Sequence, residues 1–231
     1  MNLIFDIGCN QGKYLADAIR KWPSAKFVAV EPQLHHFSDL VSNFGSRVFL
    51  YNKAVSSSFG TATLLHCNED SGVSSIDNDF LEKSCFRASE KLMQDGKAFK
   101  DHYTFDRPTE VETITVDYLI EEHGLPDFIK IDVEGHEYEV LLGLSQKVPL
   151  ITFEWHEPLR DKVVKSIRHL ETIGFTLFST EIWRTSHDYH DNEITNYKTA
   201  DEFISGFDNF LDCPIPEDRV WVQRSGMVWA K

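Results

Sequence analysis

The sequence predicts a doubly wound α/β domain built on a mostly parallel β-sheet. Short apolar runs alternate with amphipathic segments of helical spacing through residue 51, and the same alternation resumes after residue 116. Alternation of this kind is typical of βαβ units, in which each helix connects two parallel strands. The chain has 231 residues and shows no internal repeat or linker, so we expect one domain over residues 1–231.

The first five elements follow from local patterns. We expect strands over residues 3–7, 27–30 and 48–51, and helices over residues 11–21 and 35–44. Leu15, Ala18 and Ile19 recur at helical spacing in the first helix, and Pro23 closes it. The order strand, helix, strand, helix, strand therefore places three parallel strands in the N-terminal part of the sheet.

The middle of the chain departs from this alternation. Residues 61–66 and 111–116 are rich in β-branched side chains and partly alternate, so we expect two strands that pair with each other. The polar stretch between them, residues 67–109, is expected to contain a short helix around residues 88–93. A connection of this length inside a compact domain is usually functional, which suggests a lid or an acceptor-site insertion.

The C-terminal part returns to α/β alternation. We expect helices over residues 117–123 (with Asp117 as N-cap), 136–144 and 161–173, and strands over residues 128–133, 150–155 and 175–179. The polar and aromatic stretch 183–216 is a second candidate insertion at the acceptor site. The runs 220–223 and 227–230 suggest a terminal hairpin.

Composition limits the classes of partner. Lys and Arg number 23 against 37 Asp and Glu, and the formal net charge is −14. A protein this acidic repels phosphate backbones and anionic lipids, which disfavours nucleic acid and membrane partners. No signal-peptide pattern or membrane-length apolar run is visible, and no CxxC pair occurs among Cys9, Cys67, Cys85 and Cys213. We therefore expect a cytoplasmic enzyme with free thiols.

Two strand ends suggest a nucleotide-type cofactor site. Asp6 lies in the first strand, Gly8 follows it, and Gly12 opens the next helix. Glu31 ends the second strand, where a carboxylate can accept hydrogen bonds from ribose hydroxyls. A dinucleotide site favours GxGxxG, but position 10 is Asn10, and Asp6 would lie near the phosphates. A carboxylate there better suits the cationic S-adenosylmethionine, although a nicotinamide-dependent oxidoreductase is the alternative.

Six ordered motifs then resemble one known family. They are FDIGCNQG (5–12), VEP (30–32), NKAV (52–55), GVSS (72–75), VETITVD (111–117) and IKIDVEGHE (129–137). Together they are similar to FkbM-type S-adenosylmethionine-dependent methyltransferases, over residues 4–178. The resemblance implies a Rossmann-like class I methyltransferase fold, with a seven-stranded sheet whose last strand is antiparallel. It also implies O-methylation, commonly of a hydroxyl on a sugar or other small molecule.

The resemblance also assigns residues to the cofactor, S-adenosyl-L-methionine. It implies that the methionine portion is surrounded by Asp6, Gly8, Asn10 and Gly12, and that the ribose is held by Glu31 and Pro32. Asn52 and Ala54 would then lie near the adenine or ribose. Asp132 and Glu134 would face the methyl donor and the acceptor. The acceptor is accordingly expected to be a small molecule or a glycan.

Methyl transfer requires alignment and removal of the acceptor's proton. Candidate orienting or basic groups are Asp132 and Glu134, with His136 or His156 as the alternative base. Lys130 and Glu137 are expected to form a structural ion pair, and Trp155 is a candidate stacking wall for a sugar or ring.

A metal-assisted alternative and a non-catalytic alternative remain. Asp132 and Glu154 end neighbouring strands and could hold Mg²⁺ or Ca²⁺, and the run HDYHD at 187–191 is a second candidate ligand cluster. A binding domain that kept the cofactor fold but lost turnover is the non-catalytic alternative.

Overall fold

The computed structural model of the chain describes residues 1–93, 95–182, 196–211, 223 and 225–231. Its strands are β1 (Leu3–Ile7), β2 (Lys26–Val30), β3 (Val48–Tyr51), β4 (Ala54–Val55), β5 (Gly60–His66), β6 (Arg107–Ile114), β7 (Phe128–Ile131), β8 (Ile151–His156), β9 (Phe178–Ile182) and β10 (Ser225–Ala230). Its α-helices are α1 (Lys13–Lys21), α2 (Leu34–Phe44), α3 (Asn78–Lys83), α4 (Cys85–Ala88), α5 (Val116–His123), α6 (Glu137–Leu142), α7 (Arg160–Thr172) and α8 (Ala200–Leu211).

Seven strands form the main sheet in the order β3-β2-β1-β7-β8-β10-β9. The pairs along the first five strands are parallel, and β10 is antiparallel to both β8 and β9. This confirms the predicted mostly parallel, Rossmann-like sheet with an antiparallel last strand. The chain order reverses between β1 and β7, and ligands of such sheets bind at the carboxyl ends of the strands beside this point.

The central strands are buried on both faces. Every residue of β1, β7 and β8 is buried, as expected for parallel strands covered by helices. One apolar cluster packs side chains of α1 and α2 against one face, and a larger cluster packs α5, α6, α7 and α8 against the other. Asp6 and Lys130 are partners in the register of β1 and β7, so their side chains share a face inside this core.

A second, smaller sheet has the order β4-β6-β5. Strands β5 and β6 pair antiparallel, as predicted for these two runs, but β6 begins at Arg107 and residues 63–66 pair with residues 107–110 instead of with the run at 111–116. Strand β6 nevertheless ends at Ile114, because the Thr115 hydroxyl accepts the Tyr118 N–H at 3.1 Å and starts α5. Asp117 is therefore not the N-cap, and its Oδ1 accepts the Ser145 N–H instead, at 3.0 Å.

The 67–109 insertion is structured differently from the prediction. The helix expected at residues 88–93 is wrong, because α3, α4 and a 3-10 turn over Phe99–His102 provide the helical structure. Asp77 caps α3 by accepting the Phe80 N–H at 2.9 Å. The insertion also has its own apolar cluster, in which Phe80, Phe86 and Phe99 pack together and contact Leu159. Burial of these aromatic side chains therefore determines where the helices of the insertion form.

One prediction near the C-terminus is corrected, and the structure describes a second only in part. Strand β9 begins at Phe178, not residue 175, because Gly174 has a φ of 102° and the Phe175 N–H still bonds to Leu170 O at 3.0 Å. Residues 220–222 of the expected terminal hairpin lie outside the described residues, and the run at 227–230 forms part of β10, which pairs with β8 on one edge and β9 on the other. Most of the 183–216 insertion, including the run at 187–191, lies outside the described residues. None of the helices in the described part is long and apolar enough to cross a membrane.

Candidate active site

The turn after β1 is built on left-handed backbone. Gly8 and Gly12 have φ angles of 77° and 75°, and Asn10 has a φ of 45°. A Cβ atom on Gly8 would lie 1.8 Å from the carbonyl oxygen of Asp132, so a side chain has no room there. The Gly8 N–H donates to Val30 O at 3.0 Å. The turn is therefore fixed tightly between the ends of β2 and β7.

Glu31 lies buried at the end of β2, beside that turn. Its Oε2 accepts the Asn10 N–H at 2.8 Å, and its Oε1 accepts the Gln33 N–H at 2.9 Å. Burial raises the pKa of Glu31 to about 7, and these backbone donors oppose the rise. Asn52 supports the same strand end by donating to the carbonyl oxygens of Glu31 and Pro32, each at 3.0 Å.

A cavity of about 1210 Å³ opens at these strand ends and continues along the face of the sheet that α1 covers. The predicted site residues that line it are Gly8, Asn10, Glu31, Pro32, Ala54, Asp132, Glu134 and Glu154. Asp6, Gly12, Asn52, His136 and His156 are predicted site residues outside its lining. The structure thus brings together the ends of β1, β2, β7 and β8 around one space.

Asp6 lies in the core below the turn and carries no exposed surface. The Lys130 ammonium lies 3.4 Å from Asp6 Oδ1, 3.2 Å from Asp132 Oδ2 and 3.2 Å from Gly8 O. Burial raises the pKa of Asp6, and Lys130 opposes that rise. The ion pair expected between Lys130 and Glu137 is not formed, because the Glu137 carboxylate accepts the N–H groups of Val133 and Gly135 instead.

Two carboxyl groups and a histidine meet at the floor of the cavity. His156 Nε2 lies 3.0 Å from Glu154 Oε2 and 3.5 Å from Glu134 Oε2. Burial, reinforced by neighbouring carboxylates, raises the pKa values of Glu134 and Glu154 well above their usual range, while burial lowers the pKa of His156. The Asp132 carboxylate lies beside Glu154 and contributes to the rise in the pKa of Glu154.

Glu134 lines the cavity and has an unusual backbone conformation. Its φ of 54° is unusual for a residue with a side chain, and the Ser75 hydroxyl donates to its carbonyl oxygen at 2.7 Å. Among the residues that the structure describes, its buried Oε2 has no hydrogen-bond partner. Ser75 belongs to the GVSS motif of the insertion, so the insertion helps to hold this backbone strain in place.

His136 lies in a different environment from His156. Its Nε2 is 3.0 Å from Ser56 Oγ, and its Nδ1 is 3.7 Å from carboxylate oxygens of Asp77 and Glu139. Lys162 forms an ion pair with Asp77 in this group. Of the two predicted histidines, only His156 is therefore brought into contact with Glu134.

Two groups in the described residues have the proximity that a metal site needs. Ligand atoms of Glu134, Glu154 and His156 lie within 4.8 Å of one another, and so do those of Asp77, His136 and Glu139. In the second group the Lys162 ammonium already supplies a positive charge. The predicted metal pair Asp132 and Glu154 both line the cavity, but Asp132 pairs with Lys130, and the group with metal-site proximity joins Glu154 to Glu134 and His156.

Sequence reasoning missed some contributors and misplaced one. Gln33 donates to Ser71 O at 3.0 Å, and Gln223 contacts His156 Nδ1 at 3.2 Å. The GVSS motif could have drawn attention to the first contact, but no local pattern marks Gln223. Trp155 is buried against Phe207 and donates to Thr180 Oγ1 at 3.0 Å, so the expected stacking wall is wrong.

Comparisons with known proteins identify the family of this chain. The family model described as the methyltransferase FkbM domain matches residues 6–192. A precorrin-6y C5,15-methyltransferase from Geobacter metallireducens has 9% identity and a TM-score of 0.46, with 100% of this chain and 79% of that chain covered. A methyltransferase from Archaeoglobus fulgidus has 11% identity and a TM-score of 0.40, with 100% and 86% covered.

An O-methyltransferase from Thermotoga maritima is similar with 14% identity and a TM-score of 0.41, and the alignment covers 99% of this chain and 58% of that chain. A search of curated protein sequences gave no significant match. The family match extends over most of the chain and includes the turn after β1, the end of β2 and the end of β7. The motifs therefore predicted the enzyme class correctly, and the chain belongs to the FkbM methyltransferase domain family.

Proposed function

We propose that this chain is an S-adenosylmethionine-dependent O-methyltransferase that acts on a hydroxyl of a small-molecule, sugar or glycan acceptor. The observation that carries the proposal is the Glu134 carboxyl group, which lines the same cavity as Glu31 and whose buried Oε2 forms no hydrogen bond in the described residues and lies 3.5 Å from His156 Nε2. One carboxylate is suited to hold a ribose, and the other is suited to remove a proton.

The residues around the β1 turn fit the cofactor. Gly8 lines the cavity, and the buried Asn10 Oδ1 has no hydrogen-bond partner in the described residues. Gly8 and Asn10 would hold the methionine portion, and Glu31 with Pro32 would hold the ribose. Ala54 would lie near the adenine or ribose. When bound, S-adenosylmethionine supplies a methyl group activated by a sulfonium.

The remaining predicted cofactor residues do not line the cavity and instead position residues that do. Asp6 holds Lys130, which contacts the Gly8 carbonyl oxygen and the Asp132 carboxylate. Gly12 allows α1 to pass close to α2, because a Cβ there would lie 2.7 Å from Leu40. Asn52 fixes the backbone at Glu31 and Pro32. These residues shape the site without lining it.

Glu134 is the proposed base for the acceptor hydroxyl. Burial raises the pKa of its carboxyl group, which makes its carboxylate a stronger base than an exposed glutamate. Asp132 lies between Lys130 and Glu154 and is suited to orient the acceptor. His156 contacts both glutamates but does not line the cavity, so it acts on the base and not on the acceptor.

We also propose that the domain is single and that residues 67–109 form part of the acceptor site. Asp70, Ser71, Gly72 and Val73 from this insertion line the cavity. The insertion is tied to the base by the bond from Ser75 to Glu134. An acceptor would therefore contact the insertion while its hydroxyl lies near Glu134.

The test is the chemical bond formed in the product. Purified protein is incubated with S-adenosylmethionine and a panel of sugars, glycans and phenols, and methylated products are analysed by mass spectrometry and base hydrolysis. A base-stable methyl ether supports the proposal. A methyl ester or an N-methyl product overturns O-methylation of a hydroxyl, and cofactor binding without any product favours the non-catalytic alternative.

A further inference from the structure

Four groups form a continuous chain of contacts behind the cavity. The Cys85 N–H donates to Gln223 Oε1 at 2.8 Å, and Gln223 Nε2 lies 3.2 Å from His156 Nδ1. His156 Nε2 lies 3.0 Å from Glu154 Oε2. Gln223, His156 and Glu154 are all buried, so water does not compete for these positions.

The chemistry of these groups fixes the direction of each hydrogen bond. A backbone N–H can only donate, so the atom of the Gln223 amide that faces Cys85 is its oxygen. The NH₂ group must then face His156, and His156 Nδ1 must accept from it. A neutral imidazole that accepts at Nδ1 carries its proton on Nε2. That proton points to Glu154, with Glu134 next to it.

We propose that Gln223 is a positioning residue that holds His156 as the Nε2–H tautomer, so that His156 donates a hydrogen bond to Glu154, next to Glu134 in the candidate active site. His156 is thereby excluded as the base that takes the acceptor's proton. Its N–H instead stabilises negative charge on Glu154 and Glu134. The catalytic consequence rests on the proposed function, whereas the tautomer does not.

The contacts around the His156 ring favour a single protonation form of the imidazole. The Phe80 ring packs edge-on against His156 with its centroid 4.9 Å away. Cys85 belongs to the insertion and His156 to the central sheet, so Gln223 joins the insertion to the carboxyl pair across the fold. An imidazolium would place an Nδ1–H against the Gln223 NH₂ group, and two facing donors repel each other. The neutral Nε2–H form is the one that satisfies every partner.

The first test needs no substrate. Proton–nitrogen correlation spectra of protein with isotope-labelled histidine report the protonated nitrogen of each ring, and a His156→Asn variant identifies the His156 signals. The expected spectrum at neutral pH shows a protonated Nε2 and an unprotonated Nδ1. A protonated Nδ1 on His156 overturns the proposal. If the unaltered protein shows the expected tautomer but transfers no methyl group, the proposed function is contradicted and the tautomer is not.

The second test reverses the Gln223 contact without changing its shape. In Gln223→Glu one carboxylate oxygen still accepts the Cys85 N–H, and the other oxygen accepts where the amide donated. The expected result is a proton on Nδ1 and a fall in kcat of about tenfold or more. The affinity for S-adenosylhomocysteine should stay unchanged, because Gln223 does not line the cavity.

A matched variant separates the effect of hydrogen-bond direction from the effect of side-chain packing at position 223. Gln223→Met has a similar length but forms neither hydrogen bond, so it should give mixed tautomers and a smaller fall in kcat than Gln223→Glu. An unchanged tautomer and an unchanged kcat in Gln223→Glu would contradict the proposal. If that variant fails to fold, the spectrum of the unaltered protein decides.

Discussion

The backbone N–H of Asn10 donates to the Glu31 carboxylate at 2.8 Å and joins the turn after β1 to the end of β2. Two motifs that are 21 residues apart in the sequence thus form one wall of the cavity. This contact also leaves the carboxylate at the cavity surface, where ribose hydroxyls can reach it.

Glu31→Ala is expected to weaken binding of S-adenosylhomocysteine by about 10- to 100-fold, since hydrogen bonds to a charged group contribute about 1.5–3 kcal/mol. Isothermal titration calorimetry measures this change. Glu121→Ala removes an exposed carboxylate on α5 and serves as the matched control, with no change in affinity expected. Equal affinities of Glu31→Ala and the unaltered protein would contradict the ribose role.

The affinity for S-adenosylhomocysteine is expected to fall as the pH drops below about 7, because burial raises the pKa of Glu31 to about 7. Only the carboxylate accepts from both ribose hydroxyls, so binding below this pH requires loss of a proton. The slope approaches about tenfold per pH unit for one linked proton. In Glu31→Gln the pH dependence of the affinity should disappear from titrations between pH 6 and pH 8. If the pH dependence persists in this variant, another group causes it.

Gly8→Ala is expected to destabilise the fold by several kcal/mol or to prevent folding. A Cβ atom there would lie 1.8 Å from Asp132 O, and the φ of 77° adds backbone strain. Gly124→Ala is the matched control, because Gly124 also has a positive φ but no atom within 4 Å of the added Cβ. Urea unfolding should show a loss of only about 1–3 kcal/mol for the control, which comes from backbone strain alone. Similar losses in both variants would rule out the steric explanation.

Glu134→Gln is expected to lower kcat by about 10²- to 10⁴-fold, the usual contribution of a general base. Its affinity for S-adenosylhomocysteine should change little, because the amide keeps the shape of the side chain. Steady-state kinetics and calorimetry separate these two effects. A kcat within a few-fold of the unaltered enzyme would exclude Glu134 as the base.

Activity is expected to survive treatment with a chelator. The Lys130 ammonium already lies between Asp6 and Asp132, and the proposed tautomer places a proton, not a lone pair, on His156 Nε2. Assays in EDTA and after addition of Mg²⁺ check this expectation. Loss of activity in EDTA that Mg²⁺ restores would support the metal-assisted alternative with Asp132 and Glu154.

Local sequence patterns were sufficient for the parallel strands of the main sheet, for most of the helices and for the glycine turn. The run at 3–7 and the run at 48–51 match β1 and β3, because short apolar runs between helices have few alternatives in a doubly wound sheet. The helix expected at 88–93 failed because burial of Phe80, Phe86 and Phe99 decides the insertion's structure, and these contacts are not local.

The candidate site was only partly predictable for the same reason. Gly8, Glu31 and Glu134 follow strands that the sequence identifies, so their meeting at one sheet edge could be expected. The pairing of Lys130 with Asp6 depends on β7 lying beside β1, which strand patterns alone do not specify. The contact between Gln223 and His156 joins residues 67 positions apart and has no local signature.

Calorimetric titration with S-adenosylhomocysteine, with NAD titrated in parallel, tests the central claim most directly. The cavity at Gly8, Asn10 and Glu31 predicts one bound S-adenosylhomocysteine per chain and no binding of NAD. The absence of S-adenosylhomocysteine binding, or binding of NAD in its place, would contradict it.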